Sequence, residues 1–376
     1  MTERISRYLR EQQPETPCLV VDLDVVENNY RRMRELLPAA HIFYAVKANP
    51  ADKVLARLGG LGSKFDTASR GEIELVQAAG VSVDRISFGN TIKKEKDIAW
   101  AYQQGVRLFA FDSEAELQKL VRVAPGAKVF CRVLVDCGGA EWPLSKKFGC
   151  APEMAKDLLR KAQECGMDAY GISFHVGSQQ TDLEQWDRAL AQVSQMFFAL
   201  AEQGVDLKMV NLGGGFPARY RAEVNGIEAY CEAVTRALVR HFGNRMPEVI
   251  IEPGRSMVGD AGVIQSEVVL VSRKAANDRK RWVYLDIGKF SGLAETMDES
   301  IKYRLRTARD GTRVGPVVLA GPTCDSADIL YEKTEYKLPL SLKPGDKVEI
   351  LSTGAYTTTY SSVAFNGFQP LKAICI

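Results

Sequence analysis

The sequence predicts an α/β protein, a parallel (β/α)8 barrel joined to a second, mainly β domain. Three observations carry this. From residue 41 to about 255, short apolar runs alternate with longer amphipathic stretches. The runs number eight, the count a closed parallel barrel requires. After Gly262 the texture shifts to β-branched runs separated by turn-prone segments such as KPGD (343–346), with little helical periodicity. A doubly wound open sheet produces a similar alternation, and the count of eight favours the barrel. A chain of 376 residues also exceeds what one core usually accommodates, so two domains are expected.

Taken in order, the barrel strands are HIFYAV (41–46), KFD (64–66), RISF (85–88), RLFA (107–110), KVFCRVL (128–134), DAYGISF (168–174), LKMVNL (207–212) and EVIIE (248–252). Each is a short apolar run, as strands buried on both faces are. Between them the 3.6-residue period predicts helices over 51–58, 70–79, 93–103, 113–123, 152–165, 182–202 and 225–242, with Ser113 and Asp182 as capping residues. Before the barrel, CLVVD (18–22) reads as a strand that pairs with the second domain, and 24–37 as a helix. Beyond it, VIQSEVVLVS, RWVYLDIG, GPVVLAG and DKVEIL read as strands. The expected domains are 25–260 for the barrel, and 1–24 with 261–376 for the β-rich part.

Composition excludes several classes. With 46% hydrophobic and 26% charged residues the chain is neither disordered nor fibrous. Its 49 basic and 47 acidic residues give a net charge of +2, so no nucleic-acid partner is expected. Eight cysteines without a C-x-x-C pair, and three scattered histidines, predict no metal site. The N-terminus lacks an apolar signal core, and no apolar stretch approaches the length of about 18 residues that suggests a membrane span. These features predict a cytoplasmic protein with free thiols and no membrane partner.

Polar and glycine residues cluster where the strands end: Lys47, Asp66, Asn90, His175, Gly213-Gly214-Gly215, Glu252 and Arg255. In a barrel these positions converge on the C-terminal mouth. Lys47 ends FYAVKANP, which predicts an amine aimed into the barrel; it either snorkels or, with its charged form disfavoured by burial, forms a Schiff base with an aldehyde. NLGGGFP (211–217) brings backbone N–H groups close to an anion, although glycine runs also make ordinary turns. Arg255 in EPGR adds a charged fork to the same anion, or sits on the surface after its turn. Glu252 closes an apolar strand, a costly place for a carboxylate unless it meets a cation or a strong donor. His175 in SFHVGS lays its ring against a planar ligand, or is a hydrogen-bonded core histidine, and Ser178 is placed to donate to a phosphate. An aldehyde-capturing lysine, a phosphate cradle, a carboxylate for a ring nitrogen and a flat partner together describe pyridoxal 5′-phosphate (PLP).

The motifs FYAVKANP, FDTASRGEIELV, SFHVGS, GGGFP, EPGR, GPTCDSADIL and GAYTTTYSSVAFNGF resemble, in order and spacing over 17–370, the fold type III PLP-dependent decarboxylases of basic amino acids. The likeness is strongest to bacterial ornithine or lysine/ornithine decarboxylases. It implies that Lys47 carries the cofactor, Glu252 pairs with the pyridine nitrogen and His175 stacks on the ring. Asp66 orients the lysine's surroundings, and Ser178, Gly213, Gly214, Gly215, Arg255 and Tyr356 hold the phosphate. It further implies a homodimer with shared sites, in which Cys324 and Asp325 come from the partner subunit. The thiol protonates the product carbanion and the carboxylate meets the substrate's distal ammonium. Asp298 matches a second acid for that ammonium, and Phe365 of FNGF lines the substrate pocket. One departure stands out: animal-type enzymes have an arginine just before an L-S-x-K-F-G segment, where this chain has Pro143. Two alternatives remain, a diaminopimelate decarboxylase and a catalytically silent PLP-binding regulatory homologue. The CDSAD segment and FNGF speak against the first, and retention of Lys47, Cys324 and the phosphate set against the second.

Overall fold

The computed structural model describes residues 1–136, 138–142 and 147–376. Contacts divide the chain into two compact units. One comprises Glu27–Pro217 and Val224–Gly254; the other comprises Met1–Val26, Ala218–Glu223 and Arg255–Ile376. Arg255 to Asp260 and Ala218 to Glu223 therefore go with the β-rich unit, whereas the sequence placed them inside 25–260.

The strands are, in chain order, β1 (Cys18–Val21), β2 (Ala40–Ala45), β3 (Lys64–Thr67), β4 (Ile86–Phe88), β5 (Leu108–Phe111), β6 (Lys128–Arg132), β7 (Ala140–Trp142), β8 (Asp168–Ser173), β9 (Ser178–Gln180), β10 (Met209–Asn211) and β11 (Glu248–Ile251). Eight of them, in the order β2-β3-β4-β5-β6-β8-β10-β11, close into a barrel whose neighbours all run parallel. All eight expected strands are there, shortened at their ends. The seven crossover helices also form, from Asp52–Gly60 to Ile227–Phe242. Ser113 caps its helix by accepting the Glu116 N–H. Asp182 does not cap: its helix starts at Gln185, and the Asp182 carboxylate instead accepts the Glu184 N–H in the preceding turn. The short pair β7–β9 was not foreseen, since three residues carry no readable period.

Register defines the barrel interior. Side chains alternate along a strand, and paired residues of parallel strands share a face. Phe43, Ala110, Phe130, Met209 and Ile250 pack together as an apolar floor. One step toward the C-terminal mouth on the same face lie Ala45, Arg132, Asn211 and Glu252. The pairing Ala45–Asp66–Ser87 and Arg132–Ser173–Asn211 carries this layer around the barrel. The fold thus sets a polar ring on an apolar base, and a further step along β2 and β8 reaches Lys47 and His175.

The β-rich unit is an eight-stranded sheet built from β1, β12 (Gly262–Ser272), β13 (Arg281–Leu285), β14 (Leu305–Thr307), β15 (Val314–Ala320), β16 (Ile329–Pro339), β17 (Lys347–Leu351) and β18 (Lys372–Cys375). As expected, β1 leaves the barrel alone and pairs with β12, and it also pairs with β18. KPGD turns β16 into β17, with Gly345 at φ 88 as a tight turn requires. An unforeseen N-terminal helix, Glu3–Gln12, buries Ile5 and Leu9 against Cys18, Val20 and Val263. Among the described residues no helix is long and apolar enough to cross a membrane.

Candidate active site

Within the barrel unit, strand β2 ends at Ala45 and the chain turns through one 3-10 turn, Val46–Ala48, which carries Lys47 above the polar ring. Lys47 is exposed, so the buried amine expected of a strand-end lysine is corrected: the turn lifts the side chain out of the apolar layer. Its charge still acts on the ring, holding down the pKa values of Asp66 and Glu72 against burial and that of His175 alongside burial.

Asp66 is 5% exposed and accepts a hydrogen bond from Ser87 Oγ at 3.2 Å. Gly89 makes room for it, since a Cβ there would lie 1.9 Å from its Oδ1. Burial and the neighbouring Glu252 push the Asp66 carboxyl well above the usual range. Beside it, Asn90 braces the next loop by donating to the Ala68 carbonyl at 3.2 Å.

His175 Nδ1 accepts the Gly177 N–H at 3.0 Å, which leaves its proton on Nε2. Burial and the nearby cations Arg132 and Lys47 lower its pKa well below the ordinary value, so the ring is neutral. Ser178, half-buried, opens β9.

The glycine run is dictated by close approach. A Cβ on Gly213 would lie 2.4 Å from the Phe174 carbonyl, one on Gly214 2.7 Å from the Glu252 carbonyl, and one on Gly215 2.6 Å from the Gly177 carbonyl. Gly213 does not offer its N–H to a ligand, as expected from sequence, because it donates to Asn211 Oδ1 at 2.9 Å. The Gly214 and Gly215 N–H groups have no acceptor among the described residues, and Gly214 is buried. Buried backbone donors are seldom left unpaired, so these two fit an anionic ligand group.

The strong donor that Glu252 requires is Asn211, whose Nδ2 lies 2.5 Å from Glu252 Oε1. Asn211 therefore joins the carboxylate to the glycine run. Sequence reasoning quoted it within NLGGGFP but missed its role, although counting two residues on from the floor residue Met209 would have pointed it inward.

Within the β-rich unit, Arg255 is 3% exposed. Its fork is engaged by Glu295, through Nη1 to Oε2 at 2.7 Å and Nη2 to Oε1 at 2.5 Å, and Nη1 also donates to Tyr220 Oη at 2.6 Å. The fork that the sequence assigned wholly to an anion is thus shared with a buried acid 40 residues away. The Tyr356 ring lies 4.8 Å from the guanidinium, and Tyr356 itself has a positive φ of 56°.

The same unit presents Cys324, Asp325, Asp298 and Phe365, all exposed. Asn366 Oδ1 accepts from the Cys324 N–H at 3.2 Å and faces its Sγ at 3.5 Å. Phe365 packs edge-on against Phe290. Asp328, unnoticed in CDSAD, is 2% exposed and anchors the loop by accepting the Lys289 N–H and the Thr323 N–H and hydroxyl. Pro143 lies outside the described residues.

A closed parallel barrel with a lysine, a neutral histidine, a glycine cradle and a donor-held carboxylate at its C-terminal mouth defines a PLP-binding barrel. Residues 23–259 match the family "Pyridoxal-dependent decarboxylase, pyridoxal binding domain", and the chain belongs to that family. It is 36% identical to the lysine/ornithine decarboxylase of Selenomonas ruminantium, over 98% of this chain and 91% of that protein. Among solved structures it resembles SrLDC in complex with PLP and cadaverine, with 35% identity, a TM-score of 0.89 and coverage of 100% and 94% of the two chains. It also resembles the lysine/ornithine decarboxylase of Vibrio vulnificus complexed with putrescine, with 31% identity, a TM-score of 0.87 and coverage of 99% and 97%.

Proposed function

We propose that this chain is a PLP-dependent carboxy-lyase that converts L-ornithine, and also L-lysine, to putrescine or cadaverine and CO2, a step of polyamine synthesis. The observation that carries it is the polar mouth of the barrel, where Lys47, His175, the glycine run and Glu252 meet above an apolar floor. The motifs of the basic amino acid decarboxylases, and relatives named for lysine and ornithine, support the substrate class.

When bound, PLP supplies an aldehyde that captures amines and a ring that accepts the electron pair released with CO2. Lys47 Nζ is the amine that anchors it. Glu252 presents a carboxylate to the ring nitrogen, and His175, being neutral, offers a flat face without charge repulsion. The Gly214 and Gly215 amides are donors for the phosphate, joined in this reading by Ser178, Arg255 and Tyr356. Asp66 shapes the surroundings of Lys47.

For the substrate, Asp325 and Asp298 receive the distal ammonium, Phe365 lines its methylene chain and Cys324 Sγ delivers a proton to Cα. These four act from the partner subunit of a cytoplasmic homodimer. Diaminopimelate, with a second carboxylate at its far end, is disfavoured by the two acids. Kinetics test the substrate assignment: Asp325→Ala should lose at least tenfold more kcat/KM for ornithine than Asp325→Glu, because the ammonium is then desolvated without a counter-charge. A wild type that prefers diaminopimelate would contradict it.

A further inference from the structure

Two carboxylates, Asp66 and Glu252, stand in one polar ring at the barrel mouth, and each feels the other's charge. Around them are Lys47 and Glu72 as further charged groups, with Ser87 and Asn211 as neutral hydrogen-bonding partners. Two acids that interact in a site closed from water do not both ionise easily, so one of them keeps a proton. The hydrogen bonds say which one. Asn211 Oδ1 accepts the Gly213 N–H, which fixes the amide so that only its Nδ2 can face Glu252. An N–H donor at 2.5 Å from an acid oxygen matches the ionised form, because a protonated carboxyl would present one donor of its own and a weaker acceptor. Asp66, nearly enclosed, has only the Ser87 hydroxyl, which accepts a proton as readily as it donates one.

We propose that Asn211 is a positioning residue that assigns the charge within this pair: it holds Glu252 as the carboxylate and leaves the shared proton on Asp66. The consequence rests on the PLP reading: an ionised Glu252 keeps the ring nitrogen protonated, while a neutral Asp66 adds no second negative charge beside it.

Infrared spectroscopy of the full-length protein, stripped of and loaded with PLP, tests this. Near neutral pH the stripped wild type should show a buried protonated-carboxyl band that disappears in Asp66→Asn and persists in Glu252→Gln. The opposite pattern overturns the proposal. In an Asn211→Leu background the donor is gone, and Glu252→Gln should then weaken the band. If it leaves the band unchanged there, Asn211 does not set the charge. Asn211→Asp retains an acceptor for Gly213 but loses the donor, so its PLP affinity in equilibrium dialysis should fall by about tenfold or more; unchanged affinity counts against the proposal. Failure of the cofactor reading looks different: the wild-type band would lie on Asp66 as stated, yet the protein would bind no PLP.

Discussion

His175 links burial to pH. Its pKa in the folded chain is depressed below the ordinary 6.5 by burial, with Arg132 and Lys47 adding to it. Below pH 6.5 the unfolded chain takes up a proton that the folded chain resists, so stability is present above that pH and is lost as pH falls through it. His175→Phe should flatten the decline of melting temperature between about pH 6.5 and 5, and an unchanged slope would show that the imidazole does not carry it. His175, Lys47 and Glu252 were legible from sequence because each follows a recognisable strand on its inward face. Asn211, Gly89 and Glu295 were not, because their roles lie in partners 41, 23 and 40 residues away that only the closed barrel or the folded sheet brings near. Lys47 was placed correctly along the chain yet wrongly in depth, since a period of two says nothing of the 3-10 turn that follows β2.

At the level of elements, the glycine run is the sharpest test of how the barrel mouth is built. Gly215 has φ +98 and its missing Cβ would meet the Gly177 carbonyl, whereas Gly80 has φ +82 with nothing within 4 Å. Gly80→Ala thus carries only the backbone penalty of about 1–2 kcal/mol, while Gly215→Ala adds a clash with fixed backbone. Gly215→Ala should lower the urea midpoint clearly more than Gly80→Ala, and should weaken PLP binding, which Gly80→Ala leaves alone. Equal effects would mean that the close approach is relieved cheaply. The eight barrel strands were readable because they are short, apolar and followed by amphipathic helices. Strands β7, β9 and β14 have three residues each, too few for a period. Strand β16, ILYEKTEYKLP, buries Leu330, Tyr331, Tyr336 and Leu338 around a charged middle and so lacks the apolar run that marked the others.

On the scale of the whole molecule, the residues assigned to the cofactor and those assigned to the substrate come from different units of the chain, and the proposed dimer is what would unite them. Lys47→Ala and Cys324→Ala proteins, each nearly inactive, should regain about one quarter of wild-type activity when dissociated and reassembled together, because random pairing restores one intact site in half of the dimers. No recovery despite proven subunit exchange would place each site within one chain. The whole account depends on PLP being held on Lys47 at the barrel mouth. Borohydride reduction of the PLP-loaded protein followed by peptide mapping measures this most directly: the label should fall on the peptide containing Lys47 and be absent from Lys47→Ala, whereas a label on another lysine, or none on fully loaded protein, would contradict it.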